Sequence, residues 1–114
     1  MHEVSIALDL VNLVVKKCMA EGYQSIVQVK VRLGRASGVS TEALKFALDV
    51  VKEETIAKEA NFIIDTIPLG GTCNECGRQF ETEEGYILAC PFCGSSSFTI
   101  RQGYELEVVD MEVE

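Results

Sequence analysis

The chain has 114 residues and a formal net charge of −8 at pH 7, with ten basic and 18 acidic residues. This length suits one domain, or one small domain that carries a metal-stabilised appendage. The charge argues against nucleic-acid binding, which requires a basic surface, and is compatible with metal cations or a basic protein partner. No apolar run approaches the ~20 residues that span a bilayer, so we expect a cytoplasmic protein that does not enter the membrane.

The first predicted element is an amphipathic helix from Glu3 to about Glu21, ended by Gly22. Apolar residues at helical spacing predict its core stripe: Val4, Leu8, Val11, Val15 and Cys18, with Ala7, Leu10, Val14 and Met19 beside them. Cys18 is interpreted as buried packing because it lies on this stripe. A half-buried strand follows, because apolar residues alternate with polar ones from Val27 to Leu33.

A second helix, a second strand and a closing strand complete the predicted body. Ser40 or Thr41 can cap the helix, which is predicted to run to about Lys58. Its predicted core face is formed by Leu44, Ala47, Leu48 and Val51, with Phe46 and Val50 alongside. The second strand is predicted at about 61–67, followed by a boundary at Pro68, Gly70 and Gly71. The closing strand begins near Tyr104 and changes phase, which predicts a bulge near Val108 and Val109.

Four of the five cysteines form two C-x-x-C pairs, Cys73 with Cys76 and Cys90 with Cys93. One tight turn in each pair can aim two thiolates at a single ion, and the glycine after each pair suits the positive φ that such a turn often requires. Thirteen residues separate the pairs, which is slightly short for a zinc ribbon but enough for a hairpin. Four sulfurs without a vacancy predict a closed, structural zinc site.

Two other interpretations of these cysteines are weaker. Iron or a redox dithiol pair remains open, because a tetrahedral S₄ site fits iron as well as zinc. Two ordinary disulfides are disfavoured because nothing resembles a signal peptide, and paired cysteines in a cytosolic protein are more often metal ligands.

No catalytic constellation stands out, and the remaining candidate chemistry lies in Met1, His2 and Glu3. The α-amine, the His2 amide and the imidazole Nδ1 would form two fused chelate rings. Three such donors lie nearly in a plane, which suits Ni(II) or Cu(II) better than tetrahedral zinc. Water, a backbone atom or the Glu3 carboxylate would fill the remaining positions. Taken alone, this motif is a weak indication of a metal site.

Several segments, taken together, resemble the HypA/HybF family of hydrogenase maturation proteins over essentially the whole length. They are Met-His-Glu followed by Ser5, the run VRLGRASGVSTEALKFALDVV at 31–51, the two cysteine pairs, and the terminal LEVVDMEVE. The resemblance implies a nickel chaperone that helps to load the active site of [NiFe]-hydrogenase together with a GTPase called HypB. Some family members have an acidic residue where this chain has Ser40, next to the nickel end.

The resemblance also implies the metal ligands. Nickel would be bound by the amine of Met1 and by the amide and imidazole of His2, with Glu3 nearby or ligating. Zinc would belong to the four paired cysteines: Cys73, Cys76, Cys90 and Cys93.

We therefore expect an α+β or α/β protein with a small mixed three-stranded sheet and two helices. Residues 1–69 and 104–114 would form this nickel-binding domain, and residues 70–103 an inserted zinc-ribbon-like module. The expected function is that of a nickel metallochaperone and not an enzyme, with structural Zn²⁺ and with Ni²⁺ as transient cargo. Its expected partners are a HypB-type GTPase and the large subunit of [NiFe]-hydrogenase. A homodimer is compatible with the sequence, whereas nucleic acid and membranes are not expected.

Two alternatives belong to other functional classes. A zinc-ribbon module would bind nucleic acid or protein, and a rubredoxin-like electron carrier would hold iron on the same four thiolates.

Overall fold

A computed structural model describes residues 3–114. Within this range it has two α-helices and six strands. They are α1 (Glu3–Ala20), β1 (Ile26–Gly34), α2 (Thr41–Val51), β2 (Asn61–Ile67), β3 (Leu69–Cys73), β4 (Gln79–Thr82), β5 (Phe98–Gln102) and β6 (Leu106–Val113). No helix in this part of the chain is both long and apolar enough to cross a bilayer.

The chain divides into two compact units. The first contains the chain up to Arg32 together with Val39–Asp65 and Glu107–Glu114, and the second contains Leu33–Gly38 and Thr66–Leu106. The second unit thus includes the predicted inserted module at 70–103 and some residues outside it. The assignment of residues 70–103 to zinc and of the remainder to nickel stays a prediction.

The first unit confirms the predicted small three-stranded sheet with two helices. The strand order is β2-β1-β6, and α1 contacts α2. Strand β6 runs antiparallel to β1, because Ser25 just before β1 exchanges two backbone hydrogen bonds with Glu114 just after β6, at 3.1 and 2.9 Å. The largest fully buried side chains of this unit include Ile6, Val29, Leu48 and Phe62.

The buried face of α1 is rotated from the predicted stripe. Val4 and Leu8 were expected in the core, but they are 46% and 45% exposed. The buried residues are Ile6, Ala7, Leu10, Val11, Val14 and Cys18, which confirms the packing role of Cys18. Apolar residues lie on both sides of the buried face. Helical periodicity alone therefore placed the centre of the predicted face about one residue from the centre of the observed one.

Helix α2 is shorter than predicted, because it ends at Val51 and not near Lys58. A single 3₁₀ turn, Lys52–Glu54, follows. Thr55 then stops the chain from continuing as a helix, since its hydroxyl donates to the Lys52 carbonyl at 2.8 Å and accepts from the Ala57 amide at 3.0 Å. Leu44, Ala47 and Leu48 are buried as predicted, whereas Phe46 and Val50 are 72% and 58% exposed.

The second unit is built on an antiparallel sheet with the order β4-β3-β5. The sequence suggested a boundary at Gly70 and Gly71, but both residues lie inside the central strand β3. A Cβ atom on Gly71 would lie 2.6 Å from the Thr99 carbonyl oxygen, so this position requires glycine for a close backbone approach. A small apolar cluster of Cys73, Phe80 and Cys90, with Ile87 and Phe98 against it, includes one residue from each of the three strands.

Candidate metal centres

The two cysteine pairs adopt the same local fold. Gly77 donates its N–H to the Cys73 carbonyl at 3.0 Å, and Gly94 donates to the Cys90 carbonyl at 2.9 Å. Both glycines have positive φ, 76° and 79°, as the sequence predicted. Each turn is closed by a return bond, in which Cys73 donates to the Arg78 carbonyl at 2.9 Å and Cys90 to the Ser95 carbonyl at 2.8 Å. The pairs are therefore two equivalent knuckles, each presenting two sulfur atoms.

The four sulfur atoms converge on one point. Cys73, Cys76, Cys90 and Cys93 have sulfur atoms that all lie within 4.8 Å of one another. The Cys73–Cys93 distance is 3.5 Å and the Cys76–Cys90 distance is 3.8 Å. A tetrahedron with Zn–S bonds of about 2.3 Å has sulfur–sulfur edges of about 3.8 Å. These separations therefore fit tetrahedral thiolate coordination, and they are far too long for disulfides, which are about 2.05 Å.

Backbone amides favour negative charge on two of the sulfurs. The N–H of Cys76 donates to the Cys73 sulfur at 3.4 Å and, with the Glu75 N–H at 3.3 Å, overcomes burial and lowers the pKa of Cys73 to about 6. Burial raises the pKa of Cys90, but the N–H donors of Cys93 and Phe92 outweigh it, so that this pKa is also lowered.

The pKa of Cys93 is shifted in the opposite direction. At Cys93 the Ser95 amide lowers the pKa, but the neighbouring Cys73 sulfur, burial and the other two thiols raise it to about 11. Ionisation of one thiol therefore makes ionisation of its neighbours less favourable. A bound divalent cation would relieve this repulsion between thiolates.

Hydrogen bonds and a cation–π contact from residues other than the cysteines stabilise the knuckles. Asn74 donates its backbone N–H to the Ser97 carbonyl at 3.0 Å and its side-chain amide to the Ser97 hydroxyl at 3.1 Å. The same side chain accepts from Thr99 Oγ1 at 3.1 Å. Arg78 lies over the Phe92 ring at 5.0 Å and so joins the two knuckles. We did not identify these residues from the sequence, because their partners are distant along the chain and their side chains follow no periodic pattern.

Of the predicted nickel ligands, Met1 and His2 lie outside the described residues. Glu3 is the first residue of α1 and is partly buried. It lines a cavity of about 590 Å³ together with Ser40, Glu42 and the apolar residues Val4, Ala43, Phe46, Ala47, Val50 and Val51. Ser40 is the N-cap of α2, and its hydroxyl accepts from the Ala43 amide at 3.2 Å. Glu3 and the N-cap residue of α2 therefore line one cavity.

The chain is similar to one protein family, and to proteins of that family, over nearly its whole length. Residues 1–113 match the family described as hydrogenase/urease nickel incorporation, metallochaperone, hypA. The hydrogenase maturation factor HypA of Synechococcus sp. is 40% identical over 113 residues, which is 99% of each chain. The protein of the same name from Prosthecochloris aestuarii is 35% identical over 115 residues, which is 100% of each chain.

Two solved structures share the fold. The solution structure of the Ni metallochaperone HypA from Helicobacter pylori has a TM-score of 0.70 at 24% identity and covers 99% of this chain and 97% of its own. A second solution structure, of a protein described as HypA, has a TM-score of 0.74 at 24% identity, with 100% of this chain and 97% of its own covered.

Proposed function

This chain belongs to the HypA family of nickel-incorporation metallochaperones for hydrogenase and urease, and we propose which of its residues bind metal ions. The resemblance found in the sequence is thereby confirmed, and with it the role of a nickel-incorporation factor.

The four-cysteine cluster holds structural zinc in this proposal. The observation that supports it most strongly is the convergence of four sulfurs within 4.8 Å on two equivalent knuckles. All four tetrahedral positions are taken by cysteine, so no position stays open for substrate or water, as is typical of structural zinc. Zinc would be inert to redox change here and would hold the knuckles together. Iron in the same cluster would give reddish protein with a reversible couple, so metal analysis of the purified protein distinguishes the two.

Nickel is bound at the N-terminus in this proposal, by the Met1 amine and by the amide and imidazole of His2. Glu3 lies nearby as an additional or transient ligand. Two observations support this set: the donors suit planar Ni(II), and the two acidic residues Glu3 and Glu42 line the same cavity. Both carboxylates favour a cation at this end of the first unit.

The two-site proposal is tested by adding Ni(II) to zinc-loaded protein. We expect one nickel to bind without release of zinc, because thiolates retain zinc while the amine, amide and imidazole prefer Ni(II). A chromogenic zinc chelator present during the titration reports any release. Stoichiometric zinc release would place nickel on the knuckles and would overturn the proposal.

A second prediction concerns Ser40, where some family members have an acidic residue. Since its hydroxyl caps α2, Ser40→Ala should lower the free energy of unfolding by about 1 kcal/mol. Ser40→Asp should retain the cap. Neither change should abolish nickel binding, because the proposed donors all lie in the first three residues. Chemical denaturation and nickel titration of both variants measure the two effects separately, and loss of nickel binding in Ser40→Ala would show that the hydroxyl is a ligand.

The remaining parts of the proposal concern the setting of the protein. We infer that it works in the cytoplasm, has no catalytic activity of its own, and passes nickel on with a HypB-type GTPase to the large subunit of [NiFe]-hydrogenase. A homodimer is compatible with this role. The competing nucleic-acid-binding module is disfavoured by the net charge of −8, and a salt-dependent DNA or RNA binding assay would reveal it.

A further inference from the structure

The two edges of the sheet in the first unit differ. At the β2 edge, Lys52 donates its ammonium to the Ala60 carbonyl at 2.7 Å, and Lys45 donates to the Phe62 carbonyl at 3.0 Å. Ala60 immediately precedes β2 and Phe62 lies within it, and both carbonyls accept from lysines that lie at α2 or just after it. Ammonium groups thus occupy positions where a neighbouring strand would donate, which blocks strand addition at this edge.

The β6 edge has no such block among residues 3–114. In the order β2-β1-β6 this strand has a neighbour on one side only. Glu114 directs its N–H and carbonyl towards Ser25 at 2.9 and 3.1 Å, so alternation directs those of Val113 and Met111 to the free side. Backbone donors and acceptors are therefore available for another extended segment.

The charge of β6 indicates what kind of segment would fit. Residues 105–114 contain five carboxylates and no basic residue. Glu107 is paired with Arg32 at 3.3 Å, but Asp110 and Glu112 are exposed and have no ion-pair partner within the described part of the chain. Met111 and Val113 alternate with these two acids and are partly buried; they line a small cavity with Cys18.

We propose that β6 is a docking edge for a protein segment that is extended and carries basic side chains at every second position. The segment would add to the sheet as a further strand, with its basic residues opposite Asp110 and Glu112 and its backbone paired with Met111 and Val113. A second copy of this chain is a poor occupant, because pairing two β6 strands would place carboxylates opposite carboxylates. None of these β6 residues belongs to either proposed set of metal ligands, so the inference does not depend on nickel binding.

The experiment titrates two peptides of equal composition into zinc-loaded, nickel-free protein. Lysine and valine alternate in one peptide, and the lysines are grouped at one end of the other. We expect the alternating peptide to bind at least about tenfold more tightly, a difference of about 1.4 kcal/mol. Amide exchange at Met111 and Val113 should slow on binding, because their N–H groups enter hydrogen bonds. Equal affinity for the two peptides, or unchanged exchange at these amides, would overturn the proposal.

A pair of double variants separates a local site from overall charge. The double variant Asp110→Lys with Glu112→Lys should bind the alternating lysine peptide at least about tenfold more weakly than the wild-type protein does. It should bind an alternating glutamate peptide instead. Glu53→Lys with Glu59→Lys changes the net charge equally at exposed positions that make no described hydrogen bond or ion pair, and should retain most of the affinity. If both double variants lose the same affinity for the lysine peptide, the binding depends on net charge alone and the proposed β6 site is wrong. Self-association of the wild-type chain through β6 in sedimentation would make a second copy the occupant.

Discussion

Cys73→Ser and Cys93→Ser are each expected to unfold the four-cysteine module while α1, α2 and β1 keep their structure. Structural zinc contributes on the order of 10 kcal/mol to the folding free energy of small modules. Such modules are folded with the metal and unfolded without it. The apolar cluster here has only Cys73, Phe80 and Cys90 buried, and two of these three are proposed zinc ligands. Loss of the ion therefore removes the main stabilising interaction and disturbs the small core at the same time.

The measurement is an amide correlation spectrum of each variant together with its zinc content. Signals should be lost mainly between residues 72 and 103, while those of Leu44, Leu48 and Phe62 persist. Cys18→Ala is the matched control, since Cys18 is buried in α1 and lies outside the cluster. It should lower the stability of the first unit but leave the zinc content unchanged. Global collapse of the spectrum in Cys73→Ser, or a folded module without zinc, would contradict this prediction.

Features governed by local chemistry were predictable from the sequence. The turn glycines Gly77 and Gly94 have the positive φ that their position after a cysteine pair implied. The phase change in β6 is also present, since the partly buried positions move from Val108 to Met111 and Val113. Strand β1 changes phase as well, because Ile26 is buried and the next buried residue is Val29. That second shift was missed because the sequence alternates regularly from Val27 onward.

Features that depend on distant contacts were not predictable. The sequence signal of Gly70 and Gly71 fits a loop as well as a crowded strand, and only the approach of Thr99 and Phe80 decides between them. The end of α2 depends on the hydrogen bonds of Thr55, which helical periodicity does not reveal. At the site, the ligand cysteines could be recognised by spacing, whereas Asn74 and its partners could not.

The most sensitive position for nickel is expected to be the N-terminus itself. If Met1 supplies its α-amine, an extension of Gly-Ser before Met1 removes that donor while every side chain stays in place. His2→Ala removes the imidazole and leaves the amine. Each change should weaken nickel binding at least about tenfold, or about 1.4 kcal/mol, because each breaks one of the two fused chelate rings. Glu3→Gln should weaken it less, since the carboxylate is an additional ligand at most.

The same donor set also predicts how nickel affinity depends on pH. The imidazole and the α-amine must lose protons to bind nickel, and their ordinary pKa values are about 6.5 and about 7.7–8.0. Nickel affinity should therefore fall as pH is lowered through this range, because protons then compete for both donors. The extended protein should lose the part of this dependence that belongs to the amine.

Isothermal titration of Ni(II) into the native, extended and His2→Ala proteins at fixed pH provides the decisive comparison. Zinc content and the amide spectrum of residues 3–114 serve as controls, and neither should change, because no zinc ligand and no residue buried in the described core is altered. Unchanged affinity in the extended protein would exclude the amine as a ligand. Unchanged affinity in His2→Ala would remove the N-terminal nickel site altogether and would leave the four-cysteine cluster as the metal centre to be tested for nickel.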